Sequence, residues 1–191
     1  MEVHLERGPL FLGSVVSIGA FDGVHKGHQK VISHAVSRAK GLGVPSLVYT
    51  FDPPPRCFFQ KAQMLTTVEE KLARFEALRV DHVVVAKFDE FYINRTSESF
   101  IEELGEYNPL EIHVGRDFRF GKKRAGDLNL LARHFKVEPT NTVRCSNGDV
   151  ISSTRIRNHL SQGKVQEALT LLGWSYSNRS RKQLVSNTST A

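Results

Sequence analysis

Four short apolar runs, Val15–Ile18, Ser46–Phe51, His82–Phe88 and Leu110–Val114, are separated along the chain by stretches of helical periodicity. The first spacer, Gly27 to Lys40, repeats Val31, Ile32, Ala35, Val36 and Ala39 on one stripe. The second, Val68 to Leu78, turns Leu72, Phe75 and Leu78 inward, and the third, Thr96 to Leu104, does the same with Phe100, Ile101 and Leu104 behind a Thr-Ser-Glu start. A continuous apolar run, unlike an alternating one, suits a parallel strand covered on both faces. Strand–helix alternation of this kind predicts an α/β fold, a doubly wound parallel sheet with right-handed crossovers. In such sheets ligands bind beyond the carboxyl ends of the strands, so the segments leaving those ends are where function is sought.

Three of those segments carry chemistry. The first, SIGAFDGVHKGHQ, has glycines at 19, 23 and 27 and places His25, Lys26 and His28 where a helix begins. Backbone N–H groups and the positive end of a helix dipole favour a phosphate there. Its spacing matches neither GxGxxG nor GxxxxGK followed by Ser or Thr. In HKGH the two imidazoles lie three apart, on one side of a first helical turn, and Gly27 leaves open an approach for phosphate. A tight turn with a capping histidine is the plainer alternative. The second, GRDFRFGKKRAGD, interleaves Phe118 and Phe120 with Arg116, Arg119, Lys122, Lys123 and Arg124, against Asp117 and Asp127. It reads as a solvated charged face, as a loop that stacks a flat ring and meets phosphate, or as a basic-aromatic loop for single-stranded nucleic acid. The third, VISSTRIRNHL, offers Ser152, Ser153 and Thr154 as N-cap candidates for a helix carrying Arg155 and Arg157, hence a capped helix or a second phosphate site.

The chain's 191 residues, 40% of them hydrophobic, suit one globular domain with a sizeable core. A formal charge of +6 calls for an anionic partner. Nucleic acid is the first guess from charge alone, but the basic residues are scattered among acidic ones with no long Lys/Arg run, and phosphorylated small molecules fit as well. Cys57 and Cys145 form neither a CxxC motif nor a disulfide framework and are expected as reduced thiols of a cytoplasmic protein. No stretch reaches membrane-spanning length. The prolines between Asp52 and Gln63 predict a stiff loop bearing Arg56, Phe58 and Phe59. Leu128–Phe135 and Val165–Leu172 are expected as helices, and Val137–Val150, with NGD at its turn, as a pair of short strands. Residues 1–13 are expected as a lead-in strand or arm, 14–173 as the domain, and 174–191 as a polar tail.

Four blocks in order, GAFDGVHKGHQ, TFDPPP, VGRDFRFGKKRAGD and ISSTRIR, resemble the FMN adenylyltransferase module of bacterial FAD synthetases, within the HxGH nucleotidylyltransferase superfamily. The resemblance extends from about Ser14 to Gly173. It implies a Rossmann-like sheet and transfer of AMP from ATP to FMN, giving FAD and pyrophosphate, with Mg2+ carried mainly on the ATP phosphates and no protein metal ligand. By the same resemblance His25, His28 and Arg157 are catalytic. Gly19, Phe21, Gly27, Asp117, Ser153 and Thr154 bind ATP, and Phe51, Phe118 and Phe120 form the flavin pocket. The partners implied are ATP and FMN, with no nucleic acid and no membrane; oligomeric state is left open. Two departures stand out. Pro54 replaces the histidine usual in the second block, and LLGWSYSNRSRK stands where an LLGRPY-like junction commonly leads into a riboflavin kinase, so no kinase domain is expected to follow. A related nucleotidyltransferase with another acceptor or nucleotide, and a non-catalytic flavin- or nucleotide-binding module, are the two alternatives.

Overall fold

The structure is a computed structural model and describes residues 1–5 and 7–174; the tail expected from Ser175 lies outside them. Its strands are β1 (Glu2–Leu5), β2 (Ser14–Ile18), β3 (Ser46–Asp52), β4 (His82–Lys87), β5 (Pro109–Gly115) and β6 (Val137–Thr140). Its α-helices are α1 (Lys26–Leu42), α2 (Pro55–Gln60), α3 (Val68–Ala77), α4 (Glu90–Ile93), α5 (Ser97–Glu106), α6 (Leu128–Ala132), α7 (Ser153–Ser161) and α8 (Val165–Leu172). The strands form one six-stranded sheet in the order β1-β4-β3-β2-β5-β6, every pairing parallel.

Alternation along the strands feeds two cores. Val16, Ile18, Leu47, Tyr49, Val84 and Ile112 face α5, where Phe100, Ile101 and Leu104 close one layer. Val48, Val83 and Val85 face the other way, onto Val31 and Ile32 of α1 and Phe75 of α3. Helices on both faces explain why the strands read as continuous apolar runs. Phe75 and Leu104 are completely buried, and each contributes about 1.5–3 kcal/mol relative to an exposed position. Among the described residues, no helix is long and apolar enough to cross a membrane.

From β2 the chain steps outward through β3 to β4, then returns to the other side of β2 with β5 and β6. The reversal opens a crevice between the carboxyl ends of β2 and its neighbours, the switch point at which such sheets bind ligands.

Two expectations are corrected and one is narrowed. Asp52–Gln63 is not wholly a loop, because Pro55 occupies the first turn of α2, where proline's missing N–H costs nothing. Val137–Val150 is not a strand pair: Val137–Thr140 joins the sheet parallel to β5, and the turn at Asn147-Gly148 is flanked by a single antiparallel bridge, Arg144 to Val150. Of the three hydroxyl residues opening α7, the N-cap is Ser152, which accepts from the Arg155 N–H at 3.3 Å.

Candidate active site

The turn leaving β2 bends sharply. Phe21 and Val24 hold positive φ, +47° and +39°, in a region where L-residues are strained and which clusters at functional sites. It delivers His25 to the N-cap of α1, where Nδ1 accepts from the His28 N–H at 3.3 Å. With Nδ1 occupied as an acceptor, a neutral His25 carries its proton on Nε2. The two imidazoles stack face to face, centroids 3.6 Å apart and planes 19° from parallel. Burial lowers the His25 pKa to about 4, and the Arg157 charge pushes the same way. Burial, with His25 and Lys71 nearby, holds His28 well below the ordinary histidine range. Both rings are therefore neutral near pH 7 and act as N–H donors. A Cβ on Gly27 would stand 3.0 Å from the His25 ring, so this glycine gives the imidazole its room.

Asp22, 3% exposed, ties this turn to the far end of the chain. Oδ1 accepts from the Leu65 and Thr66 N–H groups at 3.0 and 3.2 Å, while Oδ2 pairs with Arg157 Nη2. Arg157 also donates from Nε to the Gln63 carbonyl at 2.6 Å, leaving Nη1 buried without a hydrogen-bond partner. Ser153 Oγ donates to the Asp22 carbonyl at 2.9 Å, which brings the start of α7 against the start of α1. The first N–H groups of both helices lack intrahelical acceptors, so two positive helix ends converge here.

Beyond this polar end the crevice widens into a cleft of about 590 Å³. Its lining joins Gly19, Asp22, His28, Ser153 and Arg157 to the rings of Phe51, Phe88, Tyr92, Phe100, Phe118 and Phe120. Arg56, Arg95, Arg119, Lys123 and Arg124 also border it. Phe118 and Phe120 lie parallel at 5.6 Å, and Phe51 meets Phe88 and Tyr92 edge-on at 5.8 and 5.5 Å. The loop is pinned by the Phe120–Gly126 bridge and by Asp127, which caps α6 and pairs with Arg119 at 3.1 Å. Behind the wall, Tyr49 donates to Glu103 at 2.8 Å, and Glu103 pairs with Arg95.

Of the residues picked out in sequence, Gly19, His28, Asp117, Ser153 and Arg157 meet Phe51, Phe118 and Phe120 in this one cleft. His25 stands behind His28, stacked on it, and Gly27 lies against His25. Phe21 is 2% exposed and packs edge-on against Phe75 and His28, so its ring belongs to the core. Thr154 bonds Arg56, which reaches over from α2. Pro54 lies on the cleft wall. Sequence reasoning passed over Asp22, Phe88, Tyr92 and Arg95. For Asp22 a signal existed: an acid in the middle of an otherwise apolar glycine turn needs a buried cation, and Arg157 was already in view.

The all-parallel sheet with its paired-imidazole helix start is the Rossmann-like arrangement that the resemblance to HxGH nucleotidylyltransferases implies. Solved structures agree at the level of fold. A macrolide-efflux protein from Streptococcus pneumoniae superposes with a TM-score of 0.79 at 25% identity, over 91% of this chain and 70% of that one. Pantoate-beta-alanine ligase from Francisella tularensis gives 0.56 at 15% identity, over 98% of this chain and 86% of the other. Residues 10–155 match the sequence profile described as FAD synthetase. The chain is 54% identical over 175 residues to a Geobacillus thermodenitrificans protein named for a bifunctional riboflavin kinase/FMN adenylyltransferase, covering 91% of this chain and 98% of that protein. Proteins of Buchnera aphidicola and Haemophilus influenzae named bifunctional riboflavin kinase/FMN adenylyltransferase are each 35% identical over 86% of this chain, which spans 56% of their length. The chain belongs to the FAD synthetase family, and is a nucleotidyltransferase.

Proposed function

We propose that the cleft transfers AMP from ATP to FMN, with the polar end holding the triphosphate and the aromatic wall the flavin. The observation that carries this reading is the joining, in one crevice, of two helix N-termini, neutral stacked imidazoles and a wall of parallel phenylalanines. An FMN phosphate oxygen, already ionised, attacks the α-phosphorus; the bond to the β-phosphate oxygen breaks and pyrophosphate departs. No side-chain nucleophile or general base is required, so the protein supplies alignment and charge stabilisation. His28, held by His25, donates to the α-phosphoryl oxygens. Arg157 Nη1 and the start of α7, at Ser153 and Thr154, hold the phosphates that leave. Mg2+ would ride mainly on the nucleotide's phosphates and water, the ligands it prefers.

Incubation with ATP, Mg2+ and FMN should yield FAD and pyrophosphate in equal amounts. His28→Ala should fold normally and lose about 10²–10³-fold in kcat, the usual loss for one preorganised donor. Normal turnover in that variant would remove His28 from the site. Pro54 on the cleft wall favours a second reading, a different phosphorylated acceptor. Pyrophosphate released with such an acceptor, but not with FMN, would select it.

A further inference from the structure

A second constellation lies at the other end of the sheet, at the start of β4. Glu2 and His4, two residues apart, project from the same face of β1. The parallel register sets Glu2 opposite His82, the first residue of β4, and His4 opposite Val84. His4 Nε2 and His82 Nδ1 are 3.2 Å apart, and His82 Nδ1 is 3.6 Å from Glu2 Oε2. The three donor atoms all fall within 4.8 Å of one another. Donors bound tetrahedrally at about 2.0–2.1 Å sit roughly 3.3 Å apart, so the two spacings to His82 are close to the edges of a zinc coordination tetrahedron. Phe11 braces the His82 ring edge-on at 4.9 Å.

We propose that Glu2, His4 and His82 form a binding site for a zinc-class divalent ion, with water at its fourth position, that staples β1 to β4. Two imidazoles and one carboxylate select zinc-class ions over Mg2+ and Ca2+, which prefer all-oxygen sets. The Mg2+ that accompanies ATP therefore does not compete. Without metal, one proton shared between the two ring nitrogens holds them at the same separation, so the site is preformed. Binding requires His4 to carry its proton on Nδ1 and His82 on Nε2, leaving both facing nitrogens free as ligands. The site is remote from the strands' carboxyl ends and independent of the adenylyl-transfer reading.

The test is calorimetric titration of Zn2+ into the untagged full chain, with Co2+ absorption reporting four-coordinate geometry. One equivalent should bind, and Zn2+ should raise the thermal midpoint. His4→Ala and His82→Ala should each weaken binding by more than about tenfold, since removal of mere outer-shell partners already costs 10–100-fold. His4→Ala should leave the rate of FAD formation unchanged. Should His82→Ala fail to fold, Glu2→Gln and His4→Ala, on the edge strand, must still weaken the site. No binding by the wild type would overturn the proposal. So would undiminished binding in the His4→Ala/His82→Ala double variant, which would assign the ion to His25, His28 or the cysteines, or undiminished binding in both edge-strand variants.

Discussion

The buried His25 ring makes a quantitative demand on stability. In the fold its pKa is lowered to about 4 by burial, whereas an unfolded histidine titrates near ~6.5. Above the unfolded value both states are neutral and the ring contributes no pH dependence. Between the two values the unfolded chain binds a proton that the folded chain refuses, so stability falls as pH falls. The full interval is worth about 3 kcal/mol, of which about 2 kcal/mol develops between pH 7 and pH 5. At 5% exposure there is little solvent screening to discount. His25→Asn isolates this effect: asparagine is a good N-cap and retains an acceptor for the His28 N–H, but does not titrate. Urea unfolding of both proteins at pH 7, 6 and 5 gives the difference in free energy, wild type minus variant. The surface carboxylates remain in both, so their titrations largely cancel, and His28 stays held down in both foremost by its burial. The difference should fall by about 2 kcal/mol across that range. A difference that does not move with pH would refute the assignment of a neutral, buried His25.

Arg157→Ala strands the Asp22 carboxylate, and breaking a buried pair from one side costs about 3–5 kcal/mol, visible as a lowered urea midpoint; Asp22→Asn/Arg157→Ala should recover part of the loss. In Gly126→Ala the added Cβ would lie 2.5 Å from the Phe120 ring; overpacking of about 1–3 kcal/mol and a raised KM for FMN, with KM for ATP unchanged, are expected from steady-state kinetics. Glu111 is held well below the usual carboxylate range by Arg38 foremost, and also by Lys136 and His113. Its contribution is present above the unfolded carboxylate value and is lost as pH falls toward its lower folded value. Glu111→Gln should cost about 1–2 kcal/mol at pH 7, Arg38 and Lys136 being half exposed, and should show a shallower acid limb in denaturation from pH 5 to 3.

The central strands were legible because each is apolar on both faces, and the helices between them because their stripes keep helical spacing. The edges were not. In β1 polar Glu2 and His4 alternate with Val3 and Leu5, and in β6 Glu138 and Pro139 interrupt the run, since an edge strand need not be apolar throughout. Proline clustering hid α2, because a first-turn proline and a helix-ending one look alike in sequence. The site divides in the same way. HKGH, the Phe118–Phe120 loop and SSTRIR could be read locally. The buried role of Phe21 and the capture of Thr154 by Arg56 depend on residues distant in the chain. The imidazole stack is a matter of side-chain geometry that spacing allowed but did not dictate.

The Asp22–Arg157 pair joins residues 135 positions apart, and this gives the protein an order of assembly as it leaves the ribosome. At about 5–20 residues per second, roughly 7–27 s separate synthesis of the carboxylate from that of the guanidinium. During that interval the central sheet can form, but Asp22 has only backbone and hydroxyl donors, and the second helix end is missing. A nascent chain released before residue 157 would carry the aromatic wall without the arginine or the second helix end that complete the cleft. Competence arrives late and nearly all at once, when the start of α7 docks beside the start of α1.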